Sequence, residues 1–410
     1  MRDTDLYRHL LGIEDPWFVS EVQLDVKEQR VDVWIEHPKG LQWPCPECGA
    51  EGTLHDHAEE RVWRHLDSCQ FQTFLHARPP RVICSEHGVR QVQLPWAEPH
   101  ARFTLLFERF AIEVLRHTTI QAGRLILRIS WDEAWHVMER AVKRGLKRKP
   151  ERMITQLGVD EKSVGSGQDY VTVVCDLERS TVEEVTEGNN CRSLEIYFEG
   201  LTDKQREGIE AVAMDMAGGY INAVSGSLPE GREKIVFDRY HIMKLMNEAV
   251  DRVRREEHKG LTDSGSSILA GTKFLWLYAG ERLPAKHREQ FSILKAAGLK
   301  TARAWAIKET LRQLWRYRSR AWAEKFWKRW YFWATHSRLA PVKKIANTLK
   351  THLYGVLTYS KHRITNATTE GINSQIETLR KAACGFRNKQ RLRTVILFHL
   401  GGLDLYPATH

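Results

Sequence analysis

The spacing at which apolar residues recur changes from section to section along this chain, and each change demands a different kind of structure. Residues 1–100 carry short runs such as VQLDV, RVDVWIE, QTFLHA and RQVQL. Apolar and polar side chains alternate in them, which is the period of a half-buried strand. Residues 101–150 switch to helical spacing and end in the basic run KRGLKRKPER. From 151 to 240, strand-like runs (MITQLGVDEKSV, YVTVVCDL, EAVAMDM, KIVFDRY) alternate with helical ones, the order expected of an α/β core. Residues 241–360 are nearly all helical, and residues 361–410 hold a last helical stretch from 366 to 400. A chain of 410 residues exceeds what one core serves, so a multidomain α/β protein is expected.

Bulk properties narrow the class. Lys and Arg number 62 against 52 Asp and Glu, a formal charge of +10 that favours polyanionic partners without requiring one. No run of about 18 apolar residues offers a membrane span. The N-terminus, MRDTDLYRHLLGIEDPW, lacks the apolar stretch of a signal peptide, so a cytoplasmic address without membrane partners is expected. Seven cysteines in such a chain argue against a disulfide scaffold.

Two cysteines instead form a knuckle. Cys45 and Cys48 lie in WPCPECGAEG, and Cys84 and His87 repeat the internal spacing in RVICSEHG. Tetrahedral zinc takes four such ligands, and two short hairpin loops supply that geometry. One structural Zn²⁺ is therefore expected on Cys45, Cys48, Cys84 and His87, folding a module too poor in apolar residues to fold unaided. His55, His57, His65 and His76 lie between the pairs and compete with His87 for the fourth place. The alternative is a core thiol at Cys84 with His87 on the surface.

Residues 102–145 fit three successive amphipathic helices, with the break at Arg128-Ile129-Ser130 and Ser130 as cap of the third. A helix-turn-helix follows, whose last helix, Trp131 to about Gly145, exposes His136, Glu139, Arg140, Lys143 and Arg144 to groove and phosphates. Lys147, Arg148 and Lys149 extend its basic tail. Many three-helix units read no DNA. Downstream, seven of the 14 tryptophans fall between 241 and 360: Trp276, Trp305, Trp315, Trp322, Trp327, Trp330 and Trp333. They pack inside a helical bundle, touch DNA beside the interleaved Arg and Lys, or divide between the two roles.

Three acids stand out. Asp160 interrupts ITQLGVDEKSV, and Asp215 ends IEAVAMDMAGG. A carboxylate in an apolar strand is costly unless paired or bound to a cation. Two such strands in one sheet can bring both acids to a common edge. Glu370 opens TTEGINSQIETLRKAA, with Thr368 or Thr369 as cap; Glu370, Asn373, Glu377 and Arg380 share one face, and Ile372, Ile376 and Leu379 face the core. Converging, Asp160, Asp215 and Glu370 can hold two Mg²⁺ or Mn²⁺ ions for in-line displacement at phosphorus. Taken singly, each acid reads as a solvated or capping residue. Glu161, Asp176 and Asp238 compete with them. Asp176 suits a turn. Asp238 either caps the next helix, with His241 one turn on, or stands beside the metal site. Asp238, His241 and Asn373 are thus auxiliary candidates.

Together, CPECG, the helix-turn-helix, GVDEKSV, MDMAGGY, FDRYHI and TTEGINSQIETLRKAACGFRN closely resemble the ISL3-type transposases of bacterial insertion sequences, from about residue 40 to 400. The most specific pieces are GVDE, the Asp-x-x-His string from Asp238 to His241, and T-N-A-x-x-E-G-x-N from Thr365 to Asn373. The resemblance implies that the family's catalytic Asp, Asp and Glu fall on Asp160, Asp215 and Glu370. It implies a ribonuclease-H-like mixed sheet interrupted by a helical insertion between the second Asp and the Glu. It also implies recognition of terminal inverted repeats, joining to target DNA, and a homodimer on paired ends. His87 departs from the family's usual Cys. The expected division is a β-rich zinc-binding module (1–100), a helix-turn-helix domain (101–150), the first part of the catalytic core (151–240), the Trp-rich insertion (241–360) and the final core helices (361–410). DNA contacts are expected at His136, Arg140, Lys143, Arg144, Lys147, Arg148 and Arg387. Rival readings are a zinc-containing DNA-binding regulator with a degenerate nuclease core, and a nuclease acting on RNA–DNA hybrids or junctions.

Overall fold

A computed structural model describes residues 2–408 except Ser166 and Gln168. The chain forms two compact units, one of Met1–Lys149 with Leu403–His410, the other of Pro150–Gly402. No helix among the described residues is long and apolar enough to cross a membrane.

The first unit opens with a short helix, α1 (Asp3–Leu10), and continues as eight strands: β1 (Phe18–Asp25), β2 (Arg30–Glu36), β3 (Gln42–Pro44), β4 (Glu51–His57), β5 (Arg61–Ser68), β6 (Phe71–Ala77), β7 (Pro80–Cys84) and β8 (Gly88–Gln91). They make two sheets, ordered β1-β2-β6-β5 and β3-β4-β7-β8. The alternation in RVDVWIE has its expected effect, because Val31, Val33 and Ile35 all point into the core. Trp17, Trp43, Trp63 and Trp96 fill that core, with the Trp17 and Trp96 rings edge to face at 5.0 Å.

Helices α2 (Leu105–His117), α3 (Ile120–Leu127) and α4 (Trp131–Lys147) complete the unit. Each start is capped: Thr104 accepts from the Phe107 N–H, Thr119 from Ala122, and Ser130 from Glu133, whose carboxylate returns the bond. The turn falls at Arg128, in the left-handed conformation at φ 53°, where the sequence places the break.

The second unit is built on a five-stranded sheet. Its strands are β9 (Gln156–Ser163), β10 (Tyr170–Asp176), β11 (Thr181–Glu187), β12 (Ala211–Met214) and β13 (Ile235–Phe237), in the order β11-β10-β9-β12-β13. Strand β10 is antiparallel to both neighbours, while β9, β12 and β13 run parallel. Helices α5 (Cys191–Glu199) and α6 (Asp203–Gly208) precede β12; α7 (Gly218–Ser227) and α8 (Gly231–Lys234) follow it.

After β13 the chain is helical: α9 (Arg239–Asp263), α10 (Lys273–Leu277), α11 (Arg288–Ala296), α12 (Lys300–Leu311), α13 (Arg320–His336), α14 (Ala340–Thr351) and α15 (Leu353–His362). Trp276, Trp315, Trp327 and Trp330 are buried here, and Trp305 packs against the same core. Trp322 and Trp333 are exposed, so the rings divide between core and surface. Helices α16 (Ala367–Ala382) and α17 (Lys389–Leu400) return to the sheet, packing on β9 and β11 respectively.

Candidate functional site

Two centres emerge, one in each unit. In the first, the β3–β4 and β7–β8 hairpins lie side by side because β4 pairs antiparallel with β7. Their tips therefore share one end of the sheet. Cys45 and Cys48 occupy the first tip, and Cys84 and His87 flank the second. The knuckle is closed by the Cys45 N–H donating to Ala50 O (2.8 Å) and the Gly49 N–H to Cys45 O (2.9 Å). Gly49 has φ 75°, a conformation a side chain would resist.

Ligand atoms of Cys45, Cys48, Cys84 and His87 all lie within 4.8 Å of one another. The Cys48 and Cys84 sulfurs are 3.7 Å apart, and His87 Nδ1 stands 3.7 Å from Cys84 Sγ and 3.9 Å from Cys45 Sγ. A tetrahedron with Zn–S bonds of about 2.3 Å has edges of this size. Backbone N–H groups of His87 and Glu86 hold the Cys84 thiol down at about 6, ready to ligate as thiolate. His87 Nε2 faces the Glu47 carboxylate at 3.6 Å, which orients the ring with Nδ1 inward.

The competing histidines are occupied elsewhere. His65 is buried against the Thr104 hydroxyl (2.8 Å), His76 lies between Asp32 (2.6 Å) and Glu60 (3.1 Å), and His55 lies 3.2 Å from Asp56. His57 stacks on His37. The fourth place falls to His87.

In the second unit, register decides the geometry. Ala213 of β12 pairs with Gly158 of β9, so Asp215 comes level with Asp160; Met214 pairs with Phe237, so Asp238 comes level with Asp215. Three aspartates thus stand abreast at the C-terminal edge of three parallel strands, with equal parity. Helix α16 crosses this edge close to β9. Asn373 Nδ2 donates to Asp160 Oδ2 at 2.8 Å, and the Glu161 N–H to Asp160 Oδ1 at 2.9 Å. Glu377 pairs with Lys162 at 3.0 Å, and Arg380 reaches Val164 O at 3.3 Å. Of the face expected to hold Glu370, Asn373, Glu377 and Arg380, the last three thus lie along β9, with Ile372 and Ile376 buried behind them.

The cap of α16 differs from expectation. Asn366, rather than Thr368 or Thr369, occupies the N-cap position, and its side chain is turned toward β9, donating to Val159 O at 3.4 Å. Thr369 is fully buried. A Cβ on Gly158 would stand 2.3 Å from Thr369 Oγ1 and 2.6 Å from Leu177 Cδ2. Gly158 is what lets α16 approach, and a lone glycine inside an apolar strand signals such an approach. Sequence reasoning missed Gly158, Asn366 and Thr369 as supports of the site.

Electrostatics mark the same edge. Burial raises the Asp160 carboxyl to about 6, with Asp215 adding to the shift and His241 and Asn373 opposing it. Burial and then Asp238 raise the Glu370 carboxyl, and His241 again opposes. His241 therefore lies within electrostatic reach of both acids. Asp215 Oδ1 accepts from the Ala217 N–H at 2.9 Å. Asp238 is 5% exposed and occupies the N-cap position of α9, yet its side chain makes no cap bond and its Oδ2 is buried without a hydrogen-bond partner among the described residues. Capping does not explain it. Asp176 is the turn residue expected, accepting from Glu178 (2.9 Å) and Arg179 (3.1 Å).

Among the described residues, the group gathered tightly enough to enclose an ion is Cys45, Cys48, Cys84 and His87. Asp160 and Asp215 share an edge, and Glu370 lies within electrostatic reach of Asp238, but these acids do not form so close a cage. The donors are nonetheless all-oxygen with a neighbouring imidazole, include half-buried carboxyls of which Asp160 and Asp215 repel one another, and adjoin the buried Asp238. That set fits a hard divalent cation.

The basic residues divide. His136, Lys143, Lys147, Arg148 and Arg387 are exposed. Arg144, expected on the exposed face, is instead buried, bonding Glu98 (2.9 Å), Glu108 (2.6 Å) and Leu405 O (2.6 Å). Arg140 is turned to the same buried Glu108. The correction has a simple cause: Glu108 is 1% exposed on α2, and a buried carboxylate draws in cations from the helix opposite. Arg148 also bonds within the unit, to Tyr406 O at 2.6 Å.

Comparison with known proteins agrees with this layout. Residues 41–87 match the profile described as zinc-finger of transposase IS204/IS1001/IS1096/IS1165, and residues 92–142 the helix-turn-helix domain of transposase family ISL3. The chain is 27% identical over 352 residues to the transposase for insertion sequence element IS1001 of Bordetella parapertussis, covering 84% of this chain and 86% of that one. It is 24% identical over 432 residues to the transposase for insertion sequence element IS1557 of Mycobacterium tuberculosis, covering 98% and 96%. Residues 157–396, more than half of the chain, match the transposase profile of the ISL3 group, and with three such profiles following one another along its length, this chain belongs to the ISL3 family of transposases.

Proposed function

We propose that this protein is the DNA transposase of a bacterial insertion sequence, cutting strands at the element's ends and joining the freed 3′-hydroxyls to target DNA. The observation that carries the reading is the alignment of Asp160 and Asp215 at one edge of parallel strands, crossed by α16, which carries Glu370 and whose Asn373 bonds Asp160. The antiparallel β11-β10-β9 joined to parallel β12 and β13 supports a ribonuclease-H-like core, and α9–α15 support its helical insertion.

Asp160, Asp215 and Glu370 would hold two Mg²⁺ or Mn²⁺ ions, which when bound activate the attacking hydroxyl and neutralise the leaving oxygen. Such sites take part of their ligands from the substrate's phosphates, in keeping with carboxylates more open than a dedicated cage. The chain's own task is to aim them. Asn373 and the Glu161 N–H each fix one Asp160 oxygen, and the Ala217 N–H fixes Asp215. Asp238 and His241 complete the polar wall and adjust its charge. One Zn²⁺ on Cys45, Cys48, Cys84 and His87 would be structural, since its four positions are all filled by protein.

End recognition falls to α4 and its tail, with His136, Lys143, Lys147 and Arg148 as contacts, and Arg387 touching DNA beside the core. Two copies on paired inverted repeats form the active assembly. The test is Asp160→Asn. Strand cleavage of the element's ends should fall by a thousandfold or more, with end binding retained. Equal cleavage by the variant would refute the assignment.

A further inference from the structure

Residues 313–369 contain twelve Lys and Arg but a single acid, Glu324. That stretch alone carries a surplus of eleven positive charges, against ten for the whole chain, so the other 353 residues are close to neutral. All twelve cations are exposed. Among the described residues, only Arg316 and Arg320 of the twelve pair with a carboxylate, at 3.8 and 3.3 Å, and both pairs lie in solvent. A solvated helical surface ordinarily interleaves both signs, because unrelieved like charges repel and cost stability. One left unbalanced over so long a stretch calls for an anionic partner.

Packing joins the cations of two helices into one face. Helix α13 lies against α14, where the Tyr331 hydroxyl donates to Asn347 Oδ1 at 2.8 Å and the Lys350 ammonium stands 5.3 Å from the Tyr331 ring. Lys328, one turn before Tyr331, and Lys343, one turn before Asn347, therefore flank the same seam. Further round α13, Trp322, Lys325, Arg329 and Phe332 recur at spacings of three and four, a single stripe whose two rings are 58% and 63% exposed. Large rings left in water between cations suit the sugars and phosphates of a nucleic acid. At 17 residues α13 is about 25 Å long, the length of roughly seven base pairs. Two copies of so basic a face would repel one another, which disfavours self-association through it.

The stretch also begins and ends beside the catalytic edge. Arg316 lines the same open cavity as Glu370, and Lys361 and Arg363 close α15 just ahead of the helix that carries Glu370. Phosphate contacts by Lys and Arg position a duplex without reading its sequence. We infer that the exposed face of α13 and α14 captures target DNA, the duplex of arbitrary sequence into which the cleaved ends are joined. The inference rests on the strand-transfer reading above and deepens it. Donor DNA flanking the element is covalently continuous with the end held by α4, so it needs no surface of its own to reach a high effective concentration. Target arrives as a separate molecule and has no such tether.

The test uses the full-length protein assembled on pre-cut end duplexes with Mg²⁺, and a plasmid of unrelated sequence as target. Lys328→Gln, Arg329→Gln and Lys344→Gln are combined, since all three side chains are exposed and make no ion pair among the described residues. The plasmid concentration giving half-maximal strand transfer should rise at least tenfold. The rate at saturating plasmid, end binding and cleavage of uncut ends should each stay within twofold. Across a salt series, the logarithmic slope of target binding should become shallower by about two to three. Lys328→Arg with Lys344→Arg should transfer like the wild type. An unchanged half-maximal concentration in the triple variant overturns the inference and leaves a solvated face. Cleavage and end binding that fall together with transfer also overturn it, because the face then holds the element's own DNA or a second copy. If the wild type neither binds nor cuts the ends, the strand-cleavage reading fails instead.

Discussion

Gly158 precedes Val159 and Asp160 and has no chemistry of its own, yet the site depends on its missing side chain. A methyl group there would collide with Thr369 Oγ1 and Leu177 Cδ2, forcing the start of α16 away from β9. Because that helix turn carries Glu370 and, one turn on, Asn373, the displacement reaches the acids. Gly158→Ala should cost about 1–3 kcal/mol in chemical denaturation and at least tenfold in end cleavage. An unchanged cleavage rate would show that the approach is not what aligns the site. Lys308 makes a second residue-scale case. It is 1% exposed and donates to the carbonyls of Trp276 (2.9 Å), Leu277 (3.2 Å) and Tyr278 (3.1 Å). Burial pushes its ammonium down to about 8 from an ordinary 10.5. Between those values the unfolded chain binds the proton more than the folded one, so folding stability should rise with pH through that window. Measured against Lys308→Met, the wild type should gain ground in midpoint from pH 8 to 10. A constant difference would contradict the shift.

At the scale of elements, the zinc module offers the sharpest experiment. Cys48→Ser or Cys84→Ser should lose the bound zinc and melt the two hairpins, whereas His87→Cys should keep one equivalent of metal, as measured by metal analysis with circular dichroism. Retention of zinc by both serine variants would place the ion elsewhere. This module was legible because the ligand spacing is local: each pair spans one tight turn, and only the hairpin pairing had to be supplied. The three helices from α2 to α4 were equally legible, since Ser130 and Glu133 write the capping box directly. The cap of α16 was not. Two threonines looked suitable, but Asn366 holds the position through a bond to β9, and long-range contacts leave no local pattern. Arg140 and Arg144 were misplaced for a related reason. Helical spacing shows which residues share a face, but not that Glu108 lies buried on the neighbouring helix. Strands β4, β5, β7 and β11 went unread, because runs such as TVEEVTE mix charges into the alternation and are held by their partners.

Across the whole molecule, the two compact units cut the chain differently from the five sections expected from the sequence. Residues 1–149 and the tail from Leu403 form one unit, so the zinc module and the helix-turn-helix belong to the same compact body. The tail's place there follows from Arg144 bonding Leu405 O, a contact between residues too distant in sequence to be foreseen. A formal charge of +10 and exposed cations on α4 predict that end binding releases counterions. The logarithm of the binding constant should fall with that of salt at a slope of roughly −4 or steeper. A flat dependence would rule out phosphate contacts as the basis of binding. The account as a whole stands on Asp160, Asp215 and Glu370 meeting around divalent cations. The most direct measurement is anomalous diffraction from crystals of the protein on its DNA ends, soaked in Mn²⁺. Manganese peaks should lie within ligand distance of all three carboxylates; peaks that leave out Glu370, or cluster elsewhere on the protein, would contradict it.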